Sequence, residues 1–379
     1  MRKAPLVLST VACSVAVLTG CATSEPAAAE VANPVVVTYD GGFLVLDGGT
    51  LEQKADLPLA GFNRVNPAGD ERHVMVSTAE GFQALDAVSA ELTDIKFPGS
   101  KPGHVVRHAG RTVLFSDGTG EVVSFDPAEL DGGQPATETY RSAEPHHGVA
   151  IELSDGRMVV TLGNEDERRG VAVLDDARTE ITRSEDCPGV HGEATAAGEA
   201  VVIGCENGAL VYRDGTITKV ASPTEYGRIG NQAGSDASPV VLGDYKQDED
   251  AELERPRQVS LIDTTTGTMR LVDLGTSYTF RSLARGPQGE ALVLGTDGAI
   301  RVIDPATAQI TRTIPVTAAW EEPLEWQQPR PAIFVRGADV YVTDPATRQI
   351  HLLDLATGQK RNSVTLPQEP NELSGVVAH

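Results

Sequence analysis

Apolar residues in this chain come in short bursts. Val35-Val36-Val37, Phe43-Leu44-Val45-Leu46, Val74-Met75-Val76 and Val201-Val202-Ile203 are each closed by Gly, Asp, Asn or Ser within a few positions. Runs this short, rich in β-branched residues and bounded by turn formers, predict strands rather than helices. Many of them end in the same way. The stretches Phe43-Leu44-Val45-Leu46-Asp47, Phe82-Gln83-Ala84-Leu85-Asp86, Val122-Val123-Ser124-Phe125-Asp126 and Val171-Ala172-Val173-Leu174-Asp175 are followed by Ala209 to Asp214, Val259 to Asp263, Ile300 to Asp304 and His351 to Asp354. Successive aspartates lie 39, 40, 49, 39, 49, 41 and 50 residues apart, near the period of about 40 to 45 that marks one propeller blade.

Around each copy the pattern supplies a strand before, another before that, and one after the aspartate. Four strands per unit and about eight units predict an all-β protein, a β-propeller of about eight four-stranded blades. The first unit, from Val35, lacks an innermost strand, and Leu373 to Ala378 reads as a strand with no unit after it, so the C-terminal strand is expected to close the first blade. A pair of β-sandwiches also has short, evenly spaced strands, but gives no reason for the same terminal aspartate to recur. That aspartate reads as a turn acceptor after the third strand, not as a set of catalytic carboxylates.

The N-terminus departs from this pattern. Arg2 and Lys3 precede an almost uncharged apolar stretch from Leu6 to Leu18, followed by Leu18-Thr19-Gly20-Cys21. The stretch is too short to span a bilayer and has the form of a signal peptide. The tetrapeptide resembles a bacterial lipobox. Residues 1–20 are therefore expected to be a lipoprotein signal peptide, residues 21–33 a lipidated Cys21 and flexible tether, and residues 34–379 the propeller. The expected location is extracytoplasmic, on a bacterial membrane by a lipid anchor only. With Cys13 and Cys21 so assigned, Cys187 and Cys205 remain, centred on the turn signal Ala196-Ala197-Gly198. A disulfide across a hairpin is expected in an oxidising compartment, with thiolate metal ligation as the rival reading.

Charge removes one class of partner. Against 31 Lys and Arg stand 54 Asp and Glu, a net charge of −23, which opposes a nucleic-acid backbone. The acidic stretches at 164–167 and 247–250 read as solvated faces able to meet a basic partner.

Position within a blade gives the histidines meaning, because first strands line the central channel and begin at one mouth. Blade three opens with Pro102-Gly103-His104, blade four with Pro145-His146-His147-Gly148, and blade five with Pro188-Gly189-Val190-His191-Gly192. Three imidazoles from a rigid scaffold suit Zn2+ with one position left over; the alternative is that each His caps a strand. His147 aligns better than His146, which is expected to be a ligand, a transfer ligand or simply exposed. Glu144, Asp186, Glu193 and Asp236 are candidates for the fourth position or its surroundings. His73, His108 and His379 are expected toward the opposite face, where a second site has only weak support, and His351 reads as structural.

The stretch from Val340 to Gly358 resembles the repeat of bacterial extracytoplasmic propellers of the YVTN type. Four further stretches are more specific: Asn66-Pro67-Ala68-Gly69-Asp70, Glu144 to Val149, Asp186 to Glu193, and Tyr226-Gly227-Arg228-Ile229-Gly230-Asn231-Gln232. Through them most of residues 60 to 379 resembles the extracytoplasmic zinc metallochaperones of the AztD type. The resemblance implies a propeller that binds zinc and hands it to the solute-binding protein of a zinc ABC importer, with His104, His147 and His191, and less firmly His146, as the positions carried over. The lipobox departs from freely periplasmic members, and residues 22–33 lack a His-rich arm. A carrier rather than an enzyme is expected. A membrane-tethered interaction scaffold and a zinc-dependent hydrolase, with Glu144 or Glu193 as its acid or base, are the other readings the sequence admits.

Overall fold

In the computed structural model, which describes residues 30–377 together with Met1 and Ala4, the strands form eight four-stranded antiparallel sheets arranged as the blades of a β-propeller. The signal peptide, Cys21, most of the tether and His379 lie outside the described residues. Among those described, no helix is long and apolar enough to cross a membrane.

Burial follows strand position. In blade one the two middle strands, Val35–Tyr39 and Gly42–Leu46, are almost wholly buried, because both faces pack against neighbouring blades. The outermost strand, Gln53–Pro58, alternates between exposed and half-buried residues, as a strand with one wet face should. The core is accordingly divided into clusters between adjacent blades. One of them joins Phe115 of blade three to Val160 and Val173 of blade four and Ile203 of blade five.

Ring closure occurs where the sequence predicts it. Leu373–Gly375 pairs with Val35–Tyr39, with Val37 opposite Leu373 and Val35 opposite Gly375. The closing strand is shorter than the expected span of Leu373 to Ala378; Val376 is buried beyond its end. Seven of the eight recurrent aspartates accept backbone N–H bonds in the turn after the third strand, for example Asp47 from Gly49 and Thr50, and Asp354 from Thr357. Asp214 instead pairs with Arg213.

Antiparallel order fixes which loops share a face. First strands run away from the mouth at which they begin, so that mouth also receives the turns between second and third strands and the crossings from each fourth strand to the next blade. The longer spacings in the repeat are largely spent there: residues 142–149, 222–231, 247–257 and 316–332 are non-repetitive chain on this one face.

Candidate metal centre

Three blades deliver one imidazole each to that mouth, and local irregularities aim them. The innermost strand of blade three, Pro102–His108, slips register between Pro102 and Val105, placing His104 in the bulge. The innermost strand of blade five, His191–Ala196, slips between His191 and Glu193. Bulges of this kind redirect side chains at the rim of a sheet. The second one is built on Gly192, whose φ of +69° a side chain would strain and whose missing Cβ would fall 2.2 Å from Gln232 Oε1. His147 precedes the short innermost strand of blade four, Ala150–Glu152.

The result is a cluster. Potential ligand atoms of His104, His147 and His191 all lie within 4.8 Å of one another, and the ring centroids are 4.9 to 5.6 Å apart. The protein dictates which nitrogens face inward. His191 Nδ1 is 2.5 Å from the Gly230 carbonyl, which can only accept, so the proton sits on Nδ1. His147 Nδ1 is 2.5 Å from Asp117 Oδ2, which assigns its proton in the same way. In the neutral form that metal binding requires, both rings turn a bare Nε2 lone pair inward, and these two atoms are 2.9 Å apart. Two acceptors at that distance repel unless a proton or a metal cation lies between them. Around a tetrahedral zinc with bonds of about 2.0 to 2.1 Å, two such nitrogens sit about 3.3 Å apart, so a small opening of the pair accommodates the ion.

Supports behind the imidazoles are themselves fixed. Asp244 accepts from the backbone N–H groups of Gly230 and Asn231 and from the Asn231 side chain, locking the turn whose carbonyl holds His191. Gln232 Nε2 donates to the His191 carbonyl. The disulfide between Cys187 and Cys205, S–S 2.00 Å, ties the segment leading to His191 to the end of the neighbouring strand, Ala200–Cys205. Burial is the largest influence on His191; together with the nearby His104 and His147 it pushes the imidazole well below its usual range, keeping it neutral.

Of the proposed companions, Glu193 alone comes to the cluster, with Oε2 3.4 Å from His104 Nδ1. Glu144 is exposed and offers its backbone carbonyl to His146 and Ser142. Asp186 points outward near Lys219. Asp236 is exposed and lies further along the channel with Arg107 and His108. His146 is not brought to the other three. It is buried, edge-on to Phe115, with Nδ1 2.9 Å from the Glu144 carbonyl and Nε2 3.0 Å from Thr161 Oγ1; both nitrogens are engaged by the protein, so His146 departs from the ligand role considered for it. His73 is held by Asp70 and His108 by Glu199, in separate places. Asp117 has no signal in the first-strand pattern; it reaches the site because the turn between the second and third strands of blade three returns to the same mouth.

The cluster opens into a cavity of about 570 Å³ lined also by Asn66, Glu193, Arg228, Phe280 and Trp326.

No family model matches the chain. Its sequence is 26% identical, over 303 residues, to a Citrobacter koseri protein named zinc chaperone AztD, covering 77% of this chain and 69% of that one. This chain is similar to the zinc chaperone AztD. The structure agrees at the level of fold: the apo AztD structure from Citrobacter koseri superposes with a TM-score of 0.79 at 22% identity, covering 90% of this chain and 96% of AztD. A second Citrobacter koseri AztD crystal structure gives 0.78 at 22% identity, over 91% and 98%. Dihydro-heme d1 dehydrogenase NirN in complex with DHE shares the fold more distantly than AztD, with a TM-score of 0.62 and 14% identity over 90% of this chain and 74% of that one.

Proposed function

We propose that this protein is an extracytoplasmic zinc carrier, not an enzyme, that holds Zn2+ on His104, His147 and His191 and passes it to the solute-binding protein of a zinc ABC importer, working from a lipid anchor at Cys21. The observation that carries the reading is the convergence of His104, His147 and His191, with the Nε2 atoms of His147 and His191 2.9 Å apart and an acceptor behind each of those two rings at Nδ1. Similarity to zinc chaperone AztD supports zinc as the metal.

Zinc is cargo here, so the site must be tight yet reachable. Three protein nitrogens leave one position of a tetrahedral ion open. An incoming ligand enters there and the imidazoles are then exchanged one at a time. His147, with 43% of its side chain exposed, is the natural first to leave, and the half-buried His191 the last. Glu193 beside His104 is placed to hold the metal or the departing imidazole's proton during exchange.

The test is zinc content and affinity of the protein from Ala22 onward, beside the variant lacking His104, His147 and His191, followed by zinc transfer to the apo solute-binding protein. Tight zinc in the wild type, lost in the variant, with transfer faster than spontaneous release, is the expected result. Full zinc affinity in the triple variant overturns the site, and transfer no faster than release overturns the carrier role.

A further inference from the structure

Large apolar side chains rarely stand exposed on this protein. Among the described residues beyond Met1, those that do are Ile181, Ile310, Leu324 and Trp326. Two of the four fall within three positions of each other, on the crossing between blades seven and eight, residues 316–332, which lies on the face that holds the imidazoles. Leu324 is 64% exposed and Trp326 51%.

This strap is braced rather than loose. Buried Arg330 pairs with buried Glu322 at 2.8 Å and donates to the Glu325 carbonyl. Asn371 donates to the Gln327 carbonyl, and Arg255 to that of Glu322. Arg281 and Arg330 lie over the Phe280 ring at 5.1 and 5.0 Å. Trp326 stands edge-on to Phe62, 5.1 Å away, from the crossing into blade two.

Beside the strap is a crevice of about 140 Å³ lined by Leu253, Pro256, Phe280, Leu324 and Trp326, among others. Phe280 and Trp326 also line the metal cavity, so the crevice and the imidazoles share a wall. Its outer rim is mainly acidic: Asp248, Glu249, Asp250 and Glu252 are exposed on the adjoining loop, and Glu321 on the strap, 86% exposed, is paired with Arg255 at 3.4 Å. An ordered Trp beside a crevice with a mainly acidic rim has the anatomy of a binding hot spot.

We propose that Leu324, Trp326 and this crevice are the docking platform for the protein that accepts the zinc, and that the acceptor presents an apolar side chain flanked by lysine or arginine. The inference rests on the carrier function above and gives it a surface. Docking here sets the acceptor's ligands against the open side of the cluster, and the acidic rim steers a basic partner to the mouth.

The experiment is stopped-flow transfer of zinc from the loaded protein to the apo solute-binding protein of the importer, with transfer to EDTA in parallel, for wild type, Leu324→Lys, Trp326→Ala and Asp248→Lys/Asp250→Lys. Each substitution is expected to slow transfer to the protein at least about tenfold, with Leu324→Lys and Asp248→Lys/Asp250→Lys leaving zinc stoichiometry, transfer to EDTA and thermal unfolding at wild-type values. Leu324 is exposed, so its variant keeps the inference testable if Trp326→Ala disturbs the strap. Raising salt from about 0.05 to about 0.5 M is expected to slow wild-type protein transfer by screening the rim. Wild-type rates in Leu324→Lys overturn the platform and leave the carrier function standing. No transfer from wild type overturns the carrier function, and the platform with it. A wild-type dimer in sedimentation that Leu324→Lys dissociates assigns the face to a second copy of this chain and likewise overturns the proposal.

Discussion

Asp117 Oδ2 stands 2.5 Å from His147 Nδ1, on the side of the ring away from the other two imidazoles. A carboxylate behind a ligating imidazole fixes its tautomer and raises its basicity. Asp117→Asn keeps an acceptor of the same shape without the charge. It is expected to weaken zinc binding by about ten- to a hundredfold with stoichiometry preserved, as read by competition with a chelator of known affinity. Unchanged affinity would remove Asp117 from the site.

The adjacent histidines 146 and 147 separate structure from binding. His146→Ala is expected to cost about 1 to 3 kcal/mol in chemical denaturation, since it empties a buried place and strands the partners of two hydrogen bonds, yet to leave zinc affinity within a few-fold of wild type. His147→Ala is expected to do the reverse. If His146→Ala abolished zinc binding in a folded protein, the assignment of the pair would be inverted.

His351 makes the fold acid-sensitive independently of the metal. Burial, aided by Lys360, lowers its imidazole to about 4, and its Nδ1 is held 2.8 Å from Ser363 Oγ. Below an unfolded value of about 6.5, the unfolded chain takes up a proton that the folded one refuses, so stability falls with falling pH until about 4 and then levels off. Between pH 7 and 5 the loss from this residue is about 2 kcal/mol. His191, also depressed, acts in the same direction. Denaturant melts of metal-free protein at both pH values should show the difference shrinking by about that amount in His351→Leu.

Cys187 and Cys205 close a loop with a sequence separation of 18 residues, for which chain entropy gives about 3 kcal/mol. Because Cys187 lies four positions before His191, its release is expected to affect the metal as well as the fold. The Cys187→Ala/Cys205→Ala variant should unfold at lower denaturant and bind zinc more weakly. A variant less stable but with wild-type affinity would confine the bridge to a structural role.

The propeller could be read from sequence because its signal is repeated: the terminal aspartates, the apolar bursts before them and the missing first strand of blade one each restate the same unit. His104, His147 and His191 were legible for the same reason, since each opens a blade. Asp117, Asp244 and the Gly230 carbonyl were not, because they act through the register of turns on other strands, and a carbonyl has no residue type to give it away. His146 misled by adjacency: two neighbouring positions on an extended segment face opposite ways, and only packing against Phe115 decides which enters the core. The strap from 316 to 332 has no periodicity at all, and only the fold places Trp326 in the wall of the metal cavity.

Closure of blade one fixes where the chain meets the ring. Val35 pairs with Gly375, the end of the closing strand, while Thr38 meets Glu372 at that strand's start. Since first strands begin at the imidazole mouth, residues leading into Val35 approach from the opposite face. Under the anchor proposed above, a tether from Cys21 would hold the ring by its underside, and the metal mouth would look outward from the bilayer, toward soluble visitors.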